Sequence, residues 1–274
     1  MRRYWLSSTD LVSSEIPSEV HFSGDLFHHI FEVCRQDLGS KFEVISPNAK
    51  AYLVEVISRG KKHAVARTLE SRVIAALPRP HLVLNLAISK FPVMDAVIEK
   101  AVEMGVHTIQ PFYSDHSFLR QEGSISENKI DRWKKIIISA TQQSGRGDLL
   151  KLAPAVHLKE ILGQFTSASN TPPLDKQTNP SPISLGLFCY EGMADGWSLK
   201  DELLAARAKA HAANRSIDHL RLFVGSEGGF STEEVALFRL HDLRPVSLGS
   251  QVLRVETACI TLVSVLKYEF DLMR

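Results

Sequence analysis

Val224-Gly225-Ser226-Glu227-Gly228-Gly229-Phe230 follows directly on an apolar run at Leu220, Leu222 and Phe223, and Ser231-Thr232-Glu233-Glu234 comes directly after it. The run reads as a strand and the Ser-x-x-Glu spacing as a helix start, so the glycines occupy a strand-to-helix turn. A second stretch, Leu248-Gly249-Ser250-Gln251-Val252-Leu253-Arg254-Val255-Glu256-Thr257-Ala258, also lies between a short strand and a helix. Glycines at such turns accept positive φ and let backbone N–H and C=O groups come close to a ligand. Two such turns predict a small-molecule pocket on an α/β scaffold. Taken alone, the first motif supports a cofactor loop and a purely structural tight turn about equally. No Lys-Ser or Lys-Thr follows it, which excludes a Walker loop, and the GxGxxG spacing of a dinucleotide fold is absent.

Outward from these motifs, strand and helix patterns alternate. Strands are predicted at 81–88, 106–112, 183–190, 220–224 and 245–248, and helices at 92–104, 126–143, 199–212, 232–240 and 256–270. Pro92 suits a first helical turn, Gly105 a helix stop, and Ile130, Trp133, Ile137 and Ala140 share one helix face. This alternation implies an α/β domain over 81–274 with a mostly parallel sheet covered on both faces. Residues 1–72 read instead as short β-runs around one helix at 25–35, with Leu26, Ile30 and Val33 on one face, which predicts a small β-barrel. The stretch 73–80, ending Pro78-Arg79-Pro80, is the expected linker, and the Ser/Thr/Asn/Pro-rich stretch 163–182 is an expected surface insertion.

Composition sets the outer limits. At 274 residues, 44% hydrophobic and 23% charged, the chain reads as globular, with two domains or one large α/β unit. The start, Met1-Arg2-Arg3-Tyr4-Trp5, lacks a signal-peptide core, and no apolar run is long enough to span a bilayer, so the cytoplasm is the expected compartment. Cys34, Cys189 and Cys259 form no CxxC pair, and the adjacent His28 and His29 face different directions on a helix, so neither a disulfide framework nor a metal is expected. A net charge of +1 leaves any nucleic-acid partner to local basic patches.

The two glycine motifs together resemble the bacterial 16S ribosomal RNA uridine-N3 methyltransferases, a branch of the SPOUT superfamily. That family carries a Gly-Pro-Glu-Gly-Gly-Phe loop and a Leu-Gly-x-x-Ile/Val-Leu-Arg-x-Glu-Thr-Ala loop, matched here at 225–230 and 248–258. Glu99-Lys100-Ala101-Val102-Glu103-Met104-Gly105-Val106, Arg132-Trp133, Gln143-Ser144-Gly145-Arg146, the opening Met1-Arg2-Arg3-Tyr4 and His28-His29-Ile30 are also similar to family segments, so the resemblance spans nearly the whole chain. The chain departs from the pattern at Ser226, where the family has Pro and where a looser loop is expected. It departs again at Asp115-His116-Ser117, where an acidic-Arg-Ser triplet is usual, in a longer stretch between Arg146 and Pro154, and in the unmatched insertion.

What the resemblance implies is specific. It implies a C-terminal trefoil-knotted parallel-sheet domain that binds S-adenosylmethionine, and an N-terminal PUA-like or OB-like barrel. The cofactor walls fall on Val224, Gly225, Glu227, Gly228 and Gly229 on one side and on Leu248, Gly249, Val252, Leu253, Arg254 and Thr257 on the other. Transfer to uridine N3 needs a base or a group that stabilises the anion: Arg254 is the first candidate for stabilising O2 or O4 or gripping a neighbouring phosphate, and Glu256 is a candidate base, with a helix-dipole role in its first helical turn at about equal weight. Candidate RNA grips are Arg2, Arg3, Arg59, Lys61, Lys62, Arg132, Lys134, Lys135 and Arg146. The implied partners are 16S rRNA within the small ribosomal subunit and a second copy of the chain. A ribose 2′-O-methyltransferase would carry Asn and Ser near the positions of Arg254 and Glu256, so Arg-Val-Glu-Thr favours a base target. A non-catalytic ribosome-assembly factor is the other alternative, and the intact glycines argue against it.

Overall fold

The computed structural model describes residues 1–6, 18–169, 183–191, 198–212 and 214–273, with no side chains described for 164–169 or 183. The chain divides into two compact units, Met1–Ala76 with Ile137–Leu149, and Leu77–Ile136 with Leu150–Arg274.

The first unit is built on five strands, β1 (Arg3–Trp5), β2 (Glu19–Ser23), β3 (Lys41–Ser46), β4 (Lys50–Arg59) and β5 (His63–Val73), in the order β1-β3-β4-β5-β2. The strands bury alternate residues, Val20 and Phe22 in β2 and Val54 and Val56 in β4, as a half-covered sheet requires. β2 was not predicted, because its two apolar residues are flanked by Glu19, His21 and Ser23. Between β2 and β3 lies α1 (Gly24–Phe27), which continues through wider π-type turns over His28–Val33. The wider winding rotates the face expected from a regular helix. Phe27, Ile30 and Phe31 are buried, whereas Val33 is exposed. Tyr4 and Phe22 pack edge-on or tilted against Phe42 to close this core. The helix α3 (Glu127–Ser144) gives its residues from Ile137 onward to this unit, where Ile138 packs against Trp5, Ile45, Ala51 and Ile74. The sequence had placed the whole helix in the second domain.

The second unit holds an all-parallel sheet in the order β12-β10-β11-β6-β7-β8, with β9 also on β7. Its strands are β6 (His81–Ala87), β7 (Thr108–Tyr113), β8 (Lys151–Leu152), β9 (Val156–His157), β10 (Ile183–Cys189), β11 (Ile217–Val224) and β12 (Arg244–Val246). β6 is buried at every position after His81, the continuous pattern of a strand covered on both faces. The covering helices include α2 (Phe91–Glu103), α4 (Leu158–Ser169), α5 (Leu199–Ala212), α6 (Thr232–Leu240) and α7 (Val255–Glu269). Pro92 sits in the first turn of α2, and Gly105 follows its end with φ +74.

One expectation is corrected. The stretch read as an insertion from 163 begins inside α4, whose Leu158, Ile161 and Leu162 are buried. The Ser and Thr of its second half concealed it, and 170–182 lie outside the described residues.

Candidate functional site

β12, β10 and β11 are neighbours, and the residues leaving their carboxyl ends line one pocket of about 380 Å³. Open α/β sheets bind ligands at this edge, because the strand ends deliver loops rather than side-chain layers. Of the residues predicted from sequence, Val224, Gly225, Gly228, Gly229, Leu248, Gly249, Val252 and Leu253 line the pocket, so both glycine motifs contribute to it. Glu227, Arg254 and Thr257 are not among the lining residues. Sequence reasoning missed Cys189, Tyr190 and Glu191 at the end of β10, together with Phe230, Val246 and Gln251. The pairing of Cys189 with Val246 carries the signal: once β10 and β12 are adjacent, their ends must open on the same space.

The first wall is rigid by construction. A Cβ on Gly225 would lie 3.0 Å from the carbonyl carbon of Gly229, so two backbone segments meet where only glycine fits. Gly229 has φ +67, and its N–H donates to the Ser226 carbonyl over 2.9 Å. The next residue, Phe230, is buried against Phe112, Phe188 and Phe238 and anchors the loop in the aromatic core. α6 then starts with a complete capping box. The Ser231 hydroxyl accepts from the Glu234 N–H, and the Glu234 carboxylate accepts from the Ser231 N–H. The second wall turns at Gly249, φ +126, whose N–H and C=O both bond the Ser247 hydroxyl.

The loop after β7 braces the first wall, and two of the departures from the family pattern, Ser226 and His116, lie in this contact. The Ser226 hydroxyl donates to the His116 carbonyl at 2.6 Å, and the His116 Nδ1 donates to the Gly228 carbonyl at 2.8 Å. Ser226 is buried, so this residue ties the glycine loop down; the looser loop expected from the loss of Pro is not what the structure shows. The buried Glu234 carboxylate also accepts from the Ser114 hydroxyl and the Asp115 N–H. Glu227 turns away from the lining, and its carboxylate accepts from the Lys90 N–H at 3.2 Å.

At the second wall, Arg254 is the N-cap residue of α7 through its backbone alone; its carbonyl accepts from the Ala258 N–H, and its exposed side chain makes no cap bond. Glu256 is half-buried in the first turn, and Thr257 is exposed. The neighbouring Val255 and Ala258 line the pocket, so this helix start forms its rim. Desolvation pushes the Cys189 thiol up to about 12, which leaves it a protonated, unreactive part of the lining.

Most of the candidate RNA grips already hold partners within their own unit. Arg2 donates to the Cys34 carbonyl, Arg3 pairs with Glu43 at 3.0 Å, Arg59 pairs with Glu32 and Asp37, and Arg132 pairs with Asp95 at 2.8 Å. Arg146 is buried and pairs with Asp148, which is a structural position. Lys134 pairs with Asp131 at the surface. Lys61 and Lys62 at the β4–β5 hairpin tip, and Lys135 on α3, are exposed without an ion pair among the described residues. Among those residues no three His, Cys, Asp or Glu side chains group as metal ligands, and no helix is long and apolar enough to cross a membrane.

Fold and site together define a class: a parallel α/β domain with a backbone-walled pocket at adjacent strand ends, on the same chain as a small β unit. Residues 76–267 match the model of the RNA methyltransferase domain, and residues 22–69 match the RNA methyltransferase PUA domain. The chain belongs to this RNA methyltransferase family. It is 28% identical to the ribosomal RNA small subunit methyltransferase E of Aquifex aeolicus, over 89% of this chain and 91% of that one. It is 24% identical to the Bacillus subtilis protein of the same name, over 100% and 99%. The Neisseria gonorrhoeae ribosomal RNA small subunit methyltransferase E, solved bound to S-adenosyl methionine, shares the fold, with a TM-score of 0.74, 22% identity and 98% of each chain covered. A Legionella pneumophila protein solved in complex with the cofactor SAM aligns with a TM-score of 0.77 at 25% identity over 97% of each chain.

Proposed function

We propose that this RNA methyltransferase transfers the methyl group of S-adenosylmethionine to N3 of a uridine in 16S rRNA of the small ribosomal subunit. The observation that carries the reading is the meeting of both glycine-loop walls in one pocket, with the Arg254-Val255-Glu256 helix start at its rim. The residues present fit the cofactor. Gly225, Gly228, Gly229 and Gly249 bring backbone rather than side chains to the lining, Leu248, Val252 and Leu253 offer apolar surface for an adenine ring, and the volume lies in the range of small-molecule sites. The trefoil knot that the family resemblance implies belongs to the same reading.

When bound, S-adenosylmethionine supplies an electrophilic methyl group on a sulfonium and leaves as a neutral thioether. The chain must then make N3 a nucleophile. With the cofactor bound, N3 would take the methyl group as the carbon–sulfur bond breaks, and the chain must provide for the N3 proton to leave. Glu256 is the carboxylate at the rim that takes this proton, and the Arg254 guanidinium stabilises the negative charge spread over O2 and O4. N3 lies on the pairing edge, so the target base reaches the pocket unpaired or flipped out.

S-adenosylmethionine in excess over its dissociation constant is expected to raise the melting temperature by several degrees, because a ligand bound only to the native state stabilises it by mass action. No shift at millimolar cofactor would contradict the reading. The chain also pairs with a second copy. Val252 at the pocket rim and Ile260 and Tyr268 on α7 are exposed apolar side chains that a partner surface would cover. Sedimentation at micromolar concentration is expected to give a dimer, and a monomer alone would contradict it.

A further inference from the structure

The aromatic group beside the glycine loop is unused by the site described above. Phe118 is 50% exposed on the loop after β7, two residues beyond His116, whose ring holds the Gly228 carbonyl. Its position is fixed from behind. The Phe118 N–H donates to the Ile88 carbonyl at 2.7 Å, and its ring stands edge-on to Phe91 with centroids 5.6 Å apart. Phe91 packs in turn on the buried Trp133, whose indole N–H is pinned by Asp95 at 3.0 Å. Phe91 directly follows Lys90, whose N–H holds Glu227 of the glycine loop. The exposed ring is therefore joined to the pocket wall by two short routes, through His116 and through Lys90. Basic residues accompany this aromatic pair in the chain, Lys90 beside Phe91 and Arg120 two residues beyond Phe118. Lys129 Nζ lies 4.4 Å from the Phe91 centroid, and Lys90, Arg120 and Lys129 have no ion pair among the described residues.

A braced, half-exposed ring on a segment that carries cations without an ion pair is suited to stack an unpaired nucleobase and neutralise its phosphates. Water would otherwise cover that apolar face at a cost, and an ion pair for any of these cations would have removed the attraction. Building on the proposed reaction, we propose that Phe118 is a stacking platform for an unpaired nucleotide next to the methylated one, with Lys90 and Arg120 facing the adjoining phosphates. Phe118 is then a positioning residue for RNA and has no part in holding the methyl donor.

The test uses Phe118→Ala, Phe118→Tyr and Phe118→Leu in the full chain. Two quantities are read: the KM for unmodified small ribosomal subunits, and the affinity for a short fluorescein-labelled uridine oligoribonucleotide by anisotropy. Phe118→Ala is expected to weaken both by roughly 5- to 150-fold, the range of one stacked base, with S-adenosylmethionine affinity unchanged. Phe118→Tyr restores both, and Phe118→Leu does not, because it keeps the apolar bulk and loses the π-face. Wild-type RNA affinity in Phe118→Ala, or rescue by Phe118→Leu as complete as by Phe118→Tyr, would overturn the platform. If the wild-type protein transfers no methyl group, the proposed reaction fails, and the anisotropy series still decides the platform.

Discussion

Replacing Arg254 by alanine is expected to lower methyl transfer at saturating cofactor by at least about 100-fold, the effect of removing one preorganised donor to a developing anion. The same change should leave thermal stability within about 0.5 kcal/mol of the parent, as for an ordinary surface position. The structure separates these two effects. Arg254 caps α7 through its carbonyl, which alanine retains, and its exposed guanidinium makes no cap bond that alanine would remove. Arg254→Lys should recover only part of the rate, because a compact ammonium gives O2 or O4 fewer fixed donors than the planar guanidinium does. The loss should fall in kcat, since the charge being stabilised exists only in the transition state. Unchanged turnover in Arg254→Ala, measured with tritiated methyl donor, would remove this residue from the mechanism.

The second large effect is expected at Gly225. An alanine Cβ there would lie 3.0 to 3.1 Å from the carbonyl carbon, Cα and carbonyl oxygen of Gly229. All three are backbone atoms, so no rotamer relieves the contact and the two sides of the loop must part. The loop has little freedom to do so, because Phe230 is held in the aromatic core and Ser226 is bonded to His116. Gly225→Ala should therefore cost about 1–3 kcal/mol of stability, the usual range for overpacking. It should also weaken S-adenosylmethionine binding by at least about tenfold, as a wall displaced by tenths of an ångström loses its backbone contacts. Calorimetry on the folded variant separates the two losses. Gly163→Ala is the contrast: it lies in α4 with open space around its Cβ, and alanine there should stabilise by about 0.5–1 kcal/mol. Equal cofactor affinity in Gly225→Ala and the parent would show that the loop is not a ligand wall.

Much of the parallel-sheet unit was legible because its signals are local. The Ser231–Glu234 capping box, Pro92 at the start of α2, Gly105 after its end and the apolar runs of β6 and β11 are each fixed by neighbours in sequence. The parts that escaped depend on tertiary partners. β2 shows only two apolar residues, and its identity comes from pairing with β5. α4 carries a polar second half, and its apolar residues crowd into its first turns. Arg146 looks like any exposed basic residue in sequence, and only the fold reveals it buried beside Asp148. The same holds for the candidate site. Glycine motifs identified both walls, but the contribution of Cys189, Tyr190 and Glu191 requires knowing that β10 lies between β11 and β12. The brace from Ser114, Asp115 and His116 joins residues more than a hundred positions apart, beyond the reach of any motif.

Ser226 and His116 illustrate how two departures from a family pattern acquire meaning together. Each alone reads as a loss, of a stiff Pro in one case and of an Arg in the other. In the structure the Ser226 hydroxyl donates to the His116 carbonyl and the His116 ring donates to the Gly228 carbonyl, so the two loops are tied at two points and the contact supplies the restraint that Pro would have given.

The chemistry rests on which atom of the RNA receives the methyl group. Nucleoside mass spectrometry of small-subunit RNA, from cells lacking this protein and after treatment of their subunits with purified protein and S-adenosylmethionine, reads that atom directly. The expected result is loss of 3-methyluridine in the first sample and its return in the second. Unchanged 3-methyluridine, or loss of a ribose-methylated nucleoside in its place, would contradict the assignment of Arg254 and Glu256 to uridine N3.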